Sequence, residues 1–281
     1  MTRDRVSAWN ERADGRFAAG DYRGAERLYR SALAAADRGG RTSRVTAVLL
    51  NSLGVVCKHL GKFREAERCY RRALGVLTER DDTGPADLAA LYHNLGGLEH
   101  ARRRFARGEP FARRSVQLRE QAVGAHHPDL AADLTALAAL LDQQGKYAEA
   151  EHLYRRALAI FRRAYGPEHS EIASALNNLA ALHQARGDDA RALRTYRRVF
   201  ALQERLVGPA HPDVAFTCNN LATLYTATGK PHLARPLYQR ALAIFESSLG
   251  EAHPHTAVCR ENLRRLTERT RRRIRKKSSR V

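Results

Sequence analysis

Long apolar runs are missing from this sequence of 281 residues, and so is any cysteine pair at metal-binding spacing. No stretch approaches the roughly 18 apolar residues that a membrane helix requires. Met1 to Asn10 is charged and has no apolar h-region, so it is not expected to act as a secretory signal. The four cysteines, Cys57, Cys69, Cys218 and Cys259, sit among apolar positions at helical spacing and form no CxxC. That fits buried free thiols in a reducing compartment rather than a zinc or redox site. Also missing are a phosphate-binding glycine loop, an HExxH pair and a nucleophile elbow. No stretch alternates as a strand would. The expectation is a soluble, cytoplasmic, non-enzymatic chain with no cofactor and no metal.

What is present favours helix. The sequence is 43% hydrophobic and 28% charged, enough to bury a core. Ala, Leu and Arg dominate, and these residues lose little on entering a helix. Net charge is +19, unevenly spread: Arg260 to Val281 holds 11 Lys/Arg against Glu261 and Glu268.

Self-similarity decides the fold class. Asn51-Ser-Leu-Gly54, His93-Asn-Leu-Gly96, Thr135-Ala-Leu-Ala138, Asn177-Asn-Leu-Ala180 and Asn219-Asn-Leu-Ala222 align without gaps at a period of 42. The leucine column runs Leu53, Leu95, Leu137, Leu179, Leu221 and Leu263. A second column holds Gly61, Arg103, Gly145, Gly187 and Gly229, and a third Tyr70, Ala112, Tyr154, Tyr196 and Tyr238. Each unit reads as two helices. The first ends at the column glycine, which supplies a left-handed conformation. The second carries one apolar stripe, as in Ala150, Leu153, Tyr154, Ala157, Leu158 and Phe161. Gly124, Gly166, Gly208 and Gly250 close the second helix, and His-Pro opens the next at 127–128, 211–212 and 253–254, where proline fits the first helical position. A shorter unit precedes the array, with Gly20, Ala25 and Tyr29. Pro254 to about Arg275 reads as a polar helix capping the exposed end. The expected organisation is an N-terminal repeat in 1–40, five 42-residue repeats in 41–253, a capping helix in 254–270 and a basic tail in 271–281.

These columns resemble the tetratricopeptide repeat. The period, Leu176-Asn-Asn-Leu-Ala180, Tyr147-Ala-Glu-Ala-Glu-His-Leu-Tyr-Arg-Arg-Ala-Leu158 and Gly208-Pro-Ala-His-Pro-Asp-Val-Ala215 are similar to the kinesin light chain type, which also occurs in bacterial regulatory proteins. The Ala- and Arg-rich background fits a bacterial member. The resemblance covers roughly residues 6 to 270. It implies an all-α, right-handed α-solenoid of about six helix–turn–helix repeats plus a C-terminal capping helix, and a role in holding another protein.

In such arrays the first helices line a concave groove, and the two positions before the leucine column face into it. Here they include Asn51, Asn94, Asn177, Asn178, Asn219, Asn220 and Asn262. Asparagine is a poor mid-helix residue, because its amide competes with the backbone. Its recurrence asks for a compensating use. The amide both donates and accepts, so a row of them can grip an extended peptide backbone, and the resemblance implies peptide contact at this column. The alternative use is bonding between neighbouring helices, and both can coexist. Gln143, Lys58 and His59 offer further polar contacts. The histidines at 127, 169, 211 and 253 recur one per repeat, too far apart to share a zinc ion, and read as capping and linker residues.

Paired arginines form a ladder on the second helices: Arg71-Arg72, Arg113-Arg114, Arg155-Arg156 and Arg197-Arg198. Glu67, Glu109 and Glu151 stand four residues before the first arginine in three units, whereas Leu193 and Arg235 replace that glutamate later. The ladder reads as a solvated face, or as a dock for an acidic partner on the C-terminal half. Arg271, Arg272, Arg273, Arg275, Lys276 and Lys277 offer non-specific contact to nucleic acid phosphates. The tail has no aromatic residue for base stacking and only Ile274 is apolar, which argues against a membrane partner and against specific RNA reading. The expected function is an interaction scaffold for a protein or peptide; the alternative is a nucleic-acid-associated protein acting through the tail.

Overall fold

The structure, a computed structural model, describes the backbone of residues 2–37 and 43–278, with side chains from 5 to 271 within those ranges. The described residues form helices joined by short turns. In chain order these are α1 (Thr2–Ala18), α2 (Tyr22–Asp37), α3 (Arg44–His59), α4 (Phe63–Thr78), α5 (Pro85–Ala101), α6 (Phe105–Val123) and α7 (Pro128–Asp142). Then come α8 (Tyr147–Tyr165), α9 (Ser170–Ala185), α10 (Asp189–Val207), α11 (Pro212–Ala227), α12 (Pro231–Leu249) and α13 (Pro254–Ser278). This is an all-α repeat solenoid. None of the described helices is long and apolar enough to cross a membrane.

The turn inside each repeat is a backbone device. Gly61 has φ 72°, and the N–H of Lys62 reaches back to Cys57 O at 2.8 Å, satisfying a carbonyl that the end of α3 would orphan. Arg103 takes the same place with φ 58°, and Arg104 N–H bonds Glu99 O at 2.8 Å. A side chain there costs about 1–2 kcal/mol against glycine, so the fold imposes the turn even where the sequence resists it. The turns between repeats are capped. His127, His169 and His211 each accept, through Nδ1, the N–H of Asp129, Glu171 and Asp213 at 3.2 Å.

Within a repeat the two helices approach through residues with almost no side chain. A Cβ built on Gly54 would lie 2.4 Å from Cε1 of Tyr70, a fully buried ring. The third column breaks at Ala112, and there the small partner changes the packing: a Cβ on Gly96 would lie 3.4 Å from Ala112 N and 3.5 Å from Gly108 O. Loss of the ring lets α5 and α6 close directly, backbone against backbone.

The chain divides into two compact units, Met1–Ile160 and Phe161–Val281, with the division inside α8. In the first unit a core runs from Val6 and Tyr29 through Leu49, Leu50 and Tyr70 to Leu91 and Leu98. In the second, Val214, Tyr225, Tyr238 and Phe245 pack with Cys259 and Leu266 of α13. α13 thus buries one face on the last repeat, as a cap does, and its helix continues through the basic segment to Ser278.

Ion pairs run along the second helices. Glu67–Arg71, Glu109–Arg113 and Glu151–Arg155 close within their helices at 2.9, 2.9 and 2.6 Å. The second arginine of a pair reaches the preceding repeat instead, as Arg72 to Asp37 at 3.0 Å and Arg156 to Glu120 at 2.5 Å. Arg197, which lacks the glutamate, donates to Tyr225 Oη at 2.7 Å.

Two outcomes follow. Gly54→Val drives two methyls toward the Tyr70 ring and should destabilise the chain by about 1–3 kcal/mol, read from urea unfolding; an unchanged midpoint would mean that the contact does not limit the helix approach. Glu109 is held at a pKa of about 2 by its bond from Lys146, opposed by burial and aided by Arg113. A carboxylate depressed in the fold stabilises above its unfolded pKa, roughly 4.3. Stability should therefore fall as pH drops from about 4.3 toward 2, and Glu109→Gln should flatten that fall.

Candidate binding groove

The sequence column of asparagines lies on the first helices, and every member is half-buried. In the first unit Asn94 Nδ2 donates to Asn51 Oδ1 at 2.8 Å. In the second, Asn220 Nδ2 donates to Asn177 Oδ1 at 3.4 Å and Asn262 Nδ2 to Asn219 Oδ1 at 3.2 Å. Each bond joins the later amide of one repeat to the earlier amide of the repeat before it. The amides therefore staple neighbouring first helices. Each bond engages only one end of either amide, leaving the Oδ1 of Asn94, Asn220 and Asn262 and the Nδ2 of Asn51 and Asn177 outside it. Asn219 also accepts from Thr223 through its backbone carbonyl at 2.9 Å.

A cleft of about 270 Å³ opens beside the amides in the second unit, lined by Ser170, Asn177, Asn178, Gln203, Asp213, Phe216 and Thr217 among others. A cleft of about 290 Å³ in the first unit is lined by Arg44, Asn51, Leu77, Asp87, Ala90 and Leu91. Adding 126, three periods, to each of these numbers gives a residue of the second cleft, while Ala86 and Arg119, which also line the first, have no counterpart there. The cleft is thus a property of the repeat, between two first helices and over the end of the second helix between them. Its contents differ. Arg44 bonds Asp87 across the first cleft at 2.8 Å, whereas Ser170 leaves Asp213 without that bridge. In the second cleft Thr217 donates to Gln203 Oε1 at 2.6 Å, and the ring of Phe216 packs edge-on to Phe245 at 4.9 Å.

Between these clefts in sequence, the first unit holds a charged cluster that the column reading missed. His93 stands where Asn51 and Asn177 stand, and its Nδ1 lies 2.6 Å from Asp133 Oδ1. Arg119 Nε donates to the other oxygen, Oδ2, at 2.9 Å. Asp133 is only 2% exposed. Burial alone would raise its pKa, but the bonds from His93 and Arg119 carry it below the ordinary aspartate value. The signal was present in the register. Asp133 interrupts the column Leu49, Leu91, Asp133, Ala175, Thr217 and Cys259, and Arg119 the column Leu77, Arg119, Phe161, Gln203 and Phe245. Two opposite charges entered, in one repeat, two columns that are otherwise uncharged.

Other sequence candidates take packing roles. His59 stacks on Tyr22 at 4.9 Å and meets Phe17 edge-on at 5.4 Å. Lys58 is half-buried, and burial pulls its pKa down. Glu261, at the last column position, is engaged by Arg264 and Arg265 at 2.7 and 2.6 Å. Arg271 is exposed, while the side chains of Arg272, Arg273, Arg275, Lys276 and Lys277 lie outside the described residues.

One thiol–carboxylate cluster has the chemistry of a metal site. Glu26, Cys57 and Glu65 bring ligand atoms within 4.8 Å of one another. Lys62 already bonds Glu26 at 2.6 Å, and Arg30 bridges Glu26 and Glu65 at 2.8 and 2.6 Å. A metal would have to displace both cations. The Cys69 thiol beside it, then burial, push the Cys57 pKa up, which disfavours the thiolate that a metal requires.

The family model for the tetratricopeptide repeat matches residues 4–79, 87–163, 137–205, 171–247 and 213–272. The chain belongs to the tetratricopeptide repeat family. No curated protein matches this repeat protein. Among solved structures it is similar to BtubC (BKLC) from P. vanneervenii, with 22% identity, a TM-score of 0.64, and coverage of 90% of this chain and 94% of that one. It is similar to a putative kinesin light chain of Podosopora anserina with nearly identical TPR-like repeats, at 22% identity and a TM-score of 0.59, covering 71% of this chain and 94% of that one. It is also similar to a Rap protein complexed with Competence and Sporulation Factor, at 15% identity and a TM-score of 0.66, covering 94% of this chain and 75% of that one. At these identities the likeness is one of fold, and it includes repeats of the kinesin light chain type that the sequence resembled.

The buried cluster makes a stability prediction. Asp133→Ala leaves Arg119, only 13% exposed, with just the longer 3.8 Å contact to Asp129, and should cost about 3 kcal/mol in urea unfolding. Asp133→Leu combined with Arg119→Leu refills both columns with apolar side chains and should recover most of that loss. A double variant as weak as the single one would show that the bonded charges, rather than their register, hold the site.

Proposed function

We propose that this tetratricopeptide repeat protein is a non-enzymatic scaffold that holds an extended peptide or protein segment against its first helices. A role in protein interaction is what the fold serves in general; the groove is the finer claim. The observation that carries it is the recurrence of one cleft, in register with the asparagine column, in both units. An extended peptide presents backbone donors and acceptors and side chains at regular intervals. A row of half-bonded amides answers the first, and clefts repeated along the row answer the second. Differing contents, a bridged Arg44–Asp87 in one and Phe216 with Gln203 and Thr217 in the other, give the two clefts different preferences. One structural neighbour is solved in complex with Competence and Sporulation Factor, a precedent for capture on this fold.

The test is Asn178→Ala with Asn220→Ala. Asn220 gives up one long bond of 3.4 Å, so unfolding stability should change by no more than about 1 kcal/mol. Capture of a partner from nuclease-treated lysate, quantified against wild type, should fall by about tenfold or more. Truncation at Glu268, which removes the basic tail, should leave capture intact. A sharp fall in melting temperature with binding lost in parallel would make the asparagine column structural. Capture that ignores the asparagines but vanishes with the tail would move the binding element to the C-terminus.

A further inference from the structure

The ion-pair ladder on the second helices has one rung of reversed charge. At the repeat period, position 162 belongs to the column Thr78, Glu120, Arg162, Glu204 and Glu246. Every glutamate of that column is bonded by an arginine that follows it in the array. Arg156 bonds Glu120 at 2.5 Å, Arg240 bonds Glu204 at 2.6 Å, and Arg260 bonds Glu246 at 2.7 Å. The first two rungs join residues 36 apart on successive second helices. The residue 36 before Arg198 is Arg162. Both ends of this rung are guanidinium groups, on α8 and α10 of the second unit.

Among the described residues, neither arginine has a carboxylate within ion-pair distance. Arg162 and Arg198 hold the same register as Glu120 with Arg156 and Glu204 with Arg240, and burial, then the charge of Arg198, pull the pKa of Arg162 below its usual value. Arg194, exposed one turn before Arg198, and exposed Arg163 add charge of the same sign. Neither guanidinium can lose its proton under ordinary conditions, so the repulsion is permanent unless an anion enters.

We propose that Arg162 and Arg198 form a docking site for an acidic segment of a partner protein. One of its carboxylates takes the place that Glu120 and Glu204 fill in the other rungs. In the rungs before and after it, the slot between two second helices holds a guanidinium–carboxylate bridge of 2.5–2.6 Å, and here the chain supplies two forks and no carboxylate. Two forks on separate helices can each hold an acidic side chain through parallel N–H bonds, a geometry that distinguishes a carboxylate from diffuse negative charge. The site lies on second helices, so its occupancy is independent of the groove proposed on the first helices.

The experiment is a fluorescence-anisotropy titration of a short labelled poly-glutamate peptide with the full chain, at roughly physiological salt. Arg162→Glu rebuilds the intramolecular rung with Arg198. It should weaken binding by about tenfold or more while leaving the melting temperature unchanged or higher. Arg162→Gln with Arg198→Gln should lose binding in the same way without a new ion pair, which covers a fold disturbed by the first substitution. Arg64→Glu makes the same change in net charge at an exposed site of α4 and should alter affinity by less than about twofold. Wild-type affinity in Arg162→Glu, or an equal loss in Arg64→Glu, overturns the proposal. Preference for a phosphoserine peptide lacking carboxylates over the glutamate peptide overturns it as well.

Discussion

Everything in this array depends on how closely two helices of a repeat can approach, and that distance is set by a position with almost no side chain. Gly54 admits the ring of Tyr70 against the backbone of α3, and Gly96 admits the backbone of α6. Once the pair is closed, the remaining geometry follows with little freedom. The stripe of the second helix is buried, the turn at Gly61 or Arg103 is forced, and the positions before the leucine column are turned onto the face where first helices neighbour one another. A solenoid gains cohesion from such nearest-neighbour contacts rather than from one central core. A fault in one seat is therefore felt mainly by its own repeat and the next.

The two kinds of helix carry different chemistry. First helices meet through neutral amides, Asn94 on Asn51, Asn220 on Asn177 and Asn262 on Asn219. Second helices meet through ions, Arg72 on Asp37, Arg156 on Glu120 and Arg240 on Glu204. Exposed ion pairs contribute at most about 1 kcal/mol each and tolerate exchange, which is why the outer face can lose a carboxylate at position 162 and keep its fold. Amides half-used in stapling keep bonding capacity for something else. Asp133 stands apart from both schemes. Buried beneath His93 and Arg119, it puts charge where the two preceding repeats have leucine and the following ones alanine, threonine and cysteine.

The fold was readable because period, turn glycines and aromatic column repeat often enough to outweigh local exceptions such as Arg103 and Ala112. The placement of the asparagines on first helices was readable for the same reason. Bonding between neighbouring helices was readable as one of their two uses, but not which amide reaches which, since a residue's partner 43 positions away depends on the rise and rotation from one repeat to the next. The Arg162 and Arg198 rung escaped for a similar cause. Its meaning lies in a spacing of 36, which appears only when successive second helices are laid side by side, whereas the i to i+4 glutamates are visible along a single helix. Asp133 and Arg119 could have been found, because each is the one charge in its column, but only by reading every column for exceptions and not the conspicuous ones alone.

The division of labour between the two kinds of helix is tested most directly by amide hydrogen exchange on the chain alone and on the chain saturated with its captured partner. The account predicts added protection on the first helices, concentrated at the residues around the asparagine column in α9 and α11, with the turns between repeats little changed. Protection confined to second helices, with α9 and α11 exchanging as in the free chain, would contradict it.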